Sequence, residues 1–86
     1  MVLMEDFLDD MEYWAATDAA VHRRLLRIMR ETLRQPFSGI AKPEPLKHQF
    51  QGLSSRRLTE EDRVVYRVKP EFVDFLSARY HYPRNW

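Results

Sequence analysis

The sequence predicts an α+β fold, an N-terminal helical hairpin followed by a mostly antiparallel β-sheet. Three observations lead there. Apolar residues recur at spacings of three and four as far as Leu33, and at spacings of two in the second half. Helical and strand-like segments follow one another in blocks and do not alternate. The strand-like segments are joined by short links, which implies an antiparallel meander. The 86 residues suffice for one small domain over 1–86 and not for two. A core of that size is marginal, so dimerisation or a tightly bound partner would help to stabilise it.

Met1–Met4 is apolar and can add a short edge strand. Phe7, Met11, Trp14 and Ala15, with Leu8 beside them, form one apolar face over about three turns of helix. Asp9, Asp10 and Glu12 lie elsewhere around that cylinder and are expected to be mostly exposed. Thr17 and Asp18 interrupt the helix, and Asp18 suits the cap of the next. Val21, Leu25, Ile28, Met29 and Leu33 make a second apolar stripe, with Arg23, Arg27, Arg30 and Arg34 down another face. Pro36 and Gly39 end this helix, so the hairpin occupies 1–35.

Gln35–Pro45 reads as a loop in which Pro43 and Pro45 flank Glu44 and bias it toward an extended conformation. The strands are expected over 46–82. Leu46–Phe50 is a short strand, Gly52 permits a turn, Ser54–Leu58 is the next strand and Thr59–Asp62 a polar connection. In Arg63–Lys69, Val64, Tyr66 and Val68 face one way and Arg63, Val65 and Arg67 the other. After the turn at Lys69-Pro70-Glu71, Phe72–Tyr82 reads as one long strand. Leu76, Ala78, Tyr80 and Tyr82 share one face, and Phe75, Ser77, Arg79 and His81 the other. Residues 83–86 are a C-terminal tail.

Composition narrows the function. With no cysteine there is no disulfide framework and no thiolate metal site. No two histidines have ligand spacing, so neither metal nor cofactor is expected. No apolar run reaches the ~18 residues that cross a bilayer, and no leader-like segment opens the chain. A soluble cytoplasmic protein with no membrane partner is the expectation. The net charge of +1 conceals an asymmetry: residues 1–20 hold six acids and no Lys or Arg, whereas 21–86 hold all fourteen Lys and Arg against seven acids. A basic body suits a polyanion such as RNA, and equally a helical arm that balances a basic sheet.

Six residues of the basic half can carry chemistry: Glu44, Lys47, Arg57, Arg63, His81 and Tyr82. RNA brings its own nucleophile, the 2′-hydroxyl beside the scissile phosphate. Cleavage then needs a base for that hydroxyl, a cation for the charge gathering on phosphate, and an acid for the leaving 5′-oxygen. Glu44 suits the base, Arg63 the cation and His81 the acid, because guanidinium matches phosphate oxygens and imidazole titrates near neutrality. Taken singly, each has a plainer reading. A loop glutamate is usually solvated, a strand-end histidine is commonly half-buried, and tandem arginines such as Arg56-Arg57 are most often a solvated pair, although alternation sends them to opposite faces.

Read together, the motifs resemble the Txe/YoeB toxins of the RelE/ParE superfamily. They run in order through Tyr13-Trp14, Thr17-Asp18, Pro36-Phe37-Ser38-Gly39, Lys42-Pro43-Glu44-Pro45-Leu46-Lys47-His48, Ser55-Arg56-Arg57-Leu58-Thr59-Glu60-Glu61, Arg63-Val64-Val65-Tyr66 and Arg79-Tyr80-His81-Tyr82. The resemblance implies a helical hairpin packed on a twisted, mostly antiparallel sheet of the microbial-ribonuclease type. It implies the toxin of a type II toxin–antitoxin system that cleaves mRNA in the A site of the 70S ribosome. It puts the general base on Glu44, the phosphate-stabilising cation on Arg63, the general acid on His81 with Tyr82 assisting, and RNA-binding positions on Lys47 and Arg57. It further implies a YefM/Axe-type antitoxin as partner, and toxins that often form homodimers. This chain departs from the pattern at Leu53-Ser54, usually an aromatic pair, at Asp62, commonly histidine, and in the Pro83–Trp86 tail. The rival reading is a non-catalytic binding module on the same fold, either ParE-like or ribosome-occluding; the ParE branch lacks the Glu44/Arg63/His81 set.

Overall fold

The computed structural model describes residues 1–80. The order of elements is β1 (Val2–Leu3), α1 (Glu5–Thr17), α2 (Ala19–Arg34), β2 (Glu44–Pro45), a 3-10 turn (His48–Phe50), β3 (Ser54–Arg57), β4 (Arg63–Val68) and β5 (Val73–Ser77). The strands form one sheet in the order β1-β5-β4-β3-β2. All neighbours are antiparallel except β1, which runs parallel to β5 with Val2 opposite Asp74. No helix of the described residues is long and apolar enough to cross a membrane.

The hairpin forms where the sequence places it. Asp18 alone separates the two helices, and its Oδ1 accepts from the amides of Ala20 and Val21 at 3.1 and 3.2 Å. That satisfies two of the donors a helix start leaves open. Phe7, Trp14, Leu25, Ile28 and Met29 bury against Val64, Tyr66, Val73 and Phe75 on one face of the sheet. Leu33 departs from the predicted stripe and is exposed; Thr32 is buried in its turn of helix, and its hydroxyl donates to the Ile28 carbonyl at 2.7 Å. That bond satisfies the hydroxyl in place, so a polar residue can occupy a buried helix position.

Asp10 is buried, only 1% exposed, contrary to the expectation of a solvated acid. Its Oδ2 accepts from the Ala78 amide at 2.8 Å, while Trp14 Nε1 donates to the Ala78 carbonyl at 2.8 Å. Helix α1 thus takes both backbone groups of Ala78. This is one reason β5 stops at Ser77 and residues 78–80 leave the strand expected to run on through them. A second correction concerns which way β5 faces. Val65 pairs with Ser77 and Tyr66 with Phe75, leaving Leu76 as an extra residue. Such a bulge resets the two-residue period, so Phe75 and Ala78 both enter the core.

Two further differences lie in the central connection. Glu44–Pro45, expected in a loop, is an edge strand, with Leu46 N–H donating to the Leu53 carbonyl at 2.9 Å. An edge tolerates the missing proline donors. Leu46–Phe50, expected as a strand, turns into the 3-10 segment with His48 at φ 57°.

Candidate functional site

The face of the sheet opposite the helices collects polar side chains through register alone. Glu44 lies opposite Ser55, and Arg57 opposite Arg63. Ser55 and Arg57 are two apart on β3, so all four side chains share one face. With Lys42 they line a small pocket of about 30 Å³. Four segments therefore deliver an acid, three cations and a hydroxyl to one place.

Each contributor is held from behind. Arg56 points to the opposite face and is fully buried, which corrects the expectation of a solvated arginine pair. Its Nη1 donates to the Ile40 carbonyl at 2.9 Å, and its Nη2 to the carbonyls of Ser38, at 2.8 Å, and of Gln35. The guanidinium so binds the segment that leads into Lys42 and Glu44. The Tyr66 hydroxyl donates to the Pro36 carbonyl of the same segment at 2.6 Å. Burial pushes the Tyr66 phenol above its ordinary pKa, against an opposing pull from Arg56. Arg57 N–H donates to the Ala41 carbonyl at 2.7 Å. From α2, Arg24 donates to the carbonyls of Arg57 and Leu58 at 3.1 and 2.9 Å, and so fixes the end of β3.

Arg63 opens β4, and its backbone N–H donates to the Tyr80 carbonyl at 2.9 Å. Its Nη1 is buried and has no hydrogen-bond partner among the described residues. A buried guanidinium donor without a partner is costly, and Arg63 also lines the pocket, where its guanidinium suits an anion. Arg63 can therefore meet phosphate oxygens at a point that Glu44 also borders. On its other side Glu44 borders an apolar recess of about 170 Å³, lined by Phe37, Pro43, Pro45, Ser54 and Tyr66.

The structure thus brings Glu44, Arg57 and Arg63 together. Lys47 is exposed and lies apart, on a recess lined by Leu46, His48, Gln49 and Phe50. His81 and Tyr82 fall outside the described residues. Sequence reasoning gave no role to Lys42 and Ser55. For Ser55 a signal existed, its two-residue spacing from Arg57; for Lys42 there was none, because its place depends on consecutive left-handed backbones, φ 66° at Ala41 and 51° at Lys42.

Comparison with known proteins identifies the family. The sequence profile described as "YoeB-like toxin of bacterial type II toxin-antitoxin system" matches residues 3–82. The chain is 42% identical over 82 residues to Toxin YoeB of Escherichia coli K12, covering 95% of this chain and 98% of that one. Among solved structures it is similar to the YoeB/ParE toxin from Agrobacterium tumefaciens, with TM-score 0.90, 40% identity and coverage of 94% and 96%. It is also similar to the toxin of the YoeB-YefM complex from Staphylococcus aureus, with TM-score 0.85, 28% identity and 94% coverage of each chain. The polar sheet face lies on a fold shared with these toxins, and the match is continuous over nearly the whole chain: it belongs to the YoeB-like toxins of bacterial type II toxin–antitoxin systems.

Proposed function

We propose that this toxin is an endoribonuclease that cleaves mRNA in the A site of the 70S ribosome and so stops translation. The observation that carries the reading is that Arg63, whose buried Nη1 has no partner among the described residues, lines a pocket that Glu44 also borders. Glu44 takes the proton of the 2′-hydroxyl, which attacks the adjacent phosphorus. Arg63 stabilises the charge on the non-bridging oxygens, with Arg57 and Lys42 beside it. His81 donates a proton to the departing 5′-oxygen, with Tyr82 assisting, and a 2′,3′-cyclic phosphate is left. The RNA supplies the nucleophile, so base, acid and cation complete the reaction. Lys47 and Arg57 hold the RNA backbone, and the exposed ring of Phe37 beside the apolar recess offers a nucleobase a stacking surface.

A site with these means depends on orientation, and a codon immobilised in a ribosome supplies it. The setting is the cytoplasm. The partner is a YefM/Axe-type antitoxin, in keeping with the YoeB-YefM complex of the Staphylococcus aureus relative. Homodimerisation is in keeping with the YoeB dimer of the same species.

The test is toeprinting on a defined mRNA programmed into ribosomes, with wild type and His81→Ala side by side. A cut in the A-site codon with wild type alone is the expected result. Blocked translation without a cut would replace cleavage by ribosome occlusion. No effect on translation would overturn the reading in favour of a ParE-like binding module.

A further inference from the structure

We propose that Asp62 is a positioning residue for the general acid, acting by fixing the backbone of Tyr80 beside Arg63; this rests on the nuclease reading above. Asp62 Oδ1 accepts from the Tyr80 amide at 2.7 Å. Its Oδ2 accepts from the Thr59 hydroxyl at 2.8 Å. The Thr59 hydroxyl oxygen in turn accepts from the amides of Glu61 and Asp62 at 3.2 and 3.0 Å. The carboxylate is therefore oriented by its own turn before it meets Tyr80.

Tyr80 needs such a hold. Its φ of 69° lies in the left-handed region, which a bulky side chain adopts only where its surroundings impose it. Its carbonyl belongs to the peptide that links it to His81, and that carbonyl accepts from Arg63 N–H at 2.9 Å. Two consecutive residues thus grip Tyr80 from both sides, Asp62 by side chain and Arg63 by backbone. The carbonyl of the residue that precedes His81 in sequence is thereby tied to the backbone of the residue assigned to stabilise phosphate. A proton donor contributes only when its atom is in reach of the leaving oxygen, and small misplacements are expensive.

Single-turnover cleavage of ribosome-bound mRNA, together with amide hydrogen exchange at Tyr80, tests the proposal. Asp62→Ala should lower the rate at saturating ribosomes by roughly 10–100-fold, leave the half-saturating concentration unchanged and speed exchange of the Tyr80 amide. Asp62→Asn keeps an acceptor at Oδ1 and should recover the rate to within about 3-fold of wild type. A wild-type rate in Asp62→Ala overturns the proposal, and so does an Asn variant as slow as the Ala variant. Should Asp62→Ala fail to fold, Thr59→Val removes the hydroxyl that orients Oδ2. A slower rate at unchanged half-saturation is then expected, and an unchanged rate is refuting. If wild type cuts no mRNA, the nuclease reading falls, and the clamp is judged by exchange alone: equal protection of the Tyr80 amide in wild type and Asp62→Ala overturns it.

Discussion

Replacing Arg56 by methionine removes the three guanidinium bonds that tie residues 35–40 to the sheet, leaves the Tyr66 bond to Pro36, and keeps a side chain of similar length. The guanidinium makes three hydrogen bonds to the carbonyls of Gln35, Ser38 and Ile40, and lies 5.9 Å from the Tyr66 ring centre. A hydrogen bond from a charged group contributes about 1.5–3 kcal/mol. Two effects oppose the loss of three. The accepting residues are exposed, so their carbonyls regain water. Removing a fully buried cation also relieves its desolvation, which amounts to several kcal/mol. The balance is a destabilisation of about 3 kcal/mol, or a fall in Tm of about 12–24 °C for a domain of this size. Urea unfolding and thermal melts read it, with an unchanged m-value showing that the same surface is still exposed on unfolding. The Tyr66 phenol should also titrate at higher pH in the variant, since Arg56 holds its pKa down against burial. A loss below about 1 kcal/mol would refute the reasoning, because water would then replace the guanidinium at three carbonyls almost without cost.

Glu44→Gln should slow cleavage by about 10²–10⁴-fold while stability stays within about 0.5 kcal/mol, because Glu44 is exposed on an edge strand; a large fall in Tm would make its role structural. Burial pushes the Asp74 carboxyl up, but the hydrogen bonds and charges of Arg67 and Lys69 outweigh it and hold the group below the usual carboxylate range. With the folded pKa depressed, the stabilisation is present above the unfolded value of about 3.9 and lost as pH falls through the folded one. Melting temperatures of wild type should therefore drop more steeply than those of Asp74→Asn below about pH 4, and parallel curves would contradict this.

Much of the fold could be read locally. Asp18 as cap, the inward set Val64 and Tyr66, and the extended backbone at Glu44 each follow from a few neighbouring residues. What escaped depends on distant partners. The carboxylate of Asp10 is buried because it meets an amide 68 residues away, which no periodicity reveals. The bulge at Leu76 shifts the phase of β5 without any glycine to mark it. Arg56 and Arg57 are chemically identical neighbours, and only the sheet decides that one is a buried strut and the other a pocket wall. In the candidate site the residue types were legible, but the convergence of Glu44, Arg57 and Arg63 is a matter of strand register. Lys42 enters through a backbone conformation that the sequence does not announce.

The parallel pairing of β1 with β5 joins residues far apart along the chain, Val2 to Asp74 and Leu3 to Phe75. Helix α1 likewise finds its polar anchor only at Ala78. During synthesis these partners do not yet exist, and the emerging segment must wait with its apolar face uncovered. The fold therefore closes as a late, long-range event. The pocket that unites Lys42, Glu44, Arg57 and Arg63 gains its finished backing only after β5 and Ala78 have been made, so a nascent copy lacks that backing until then.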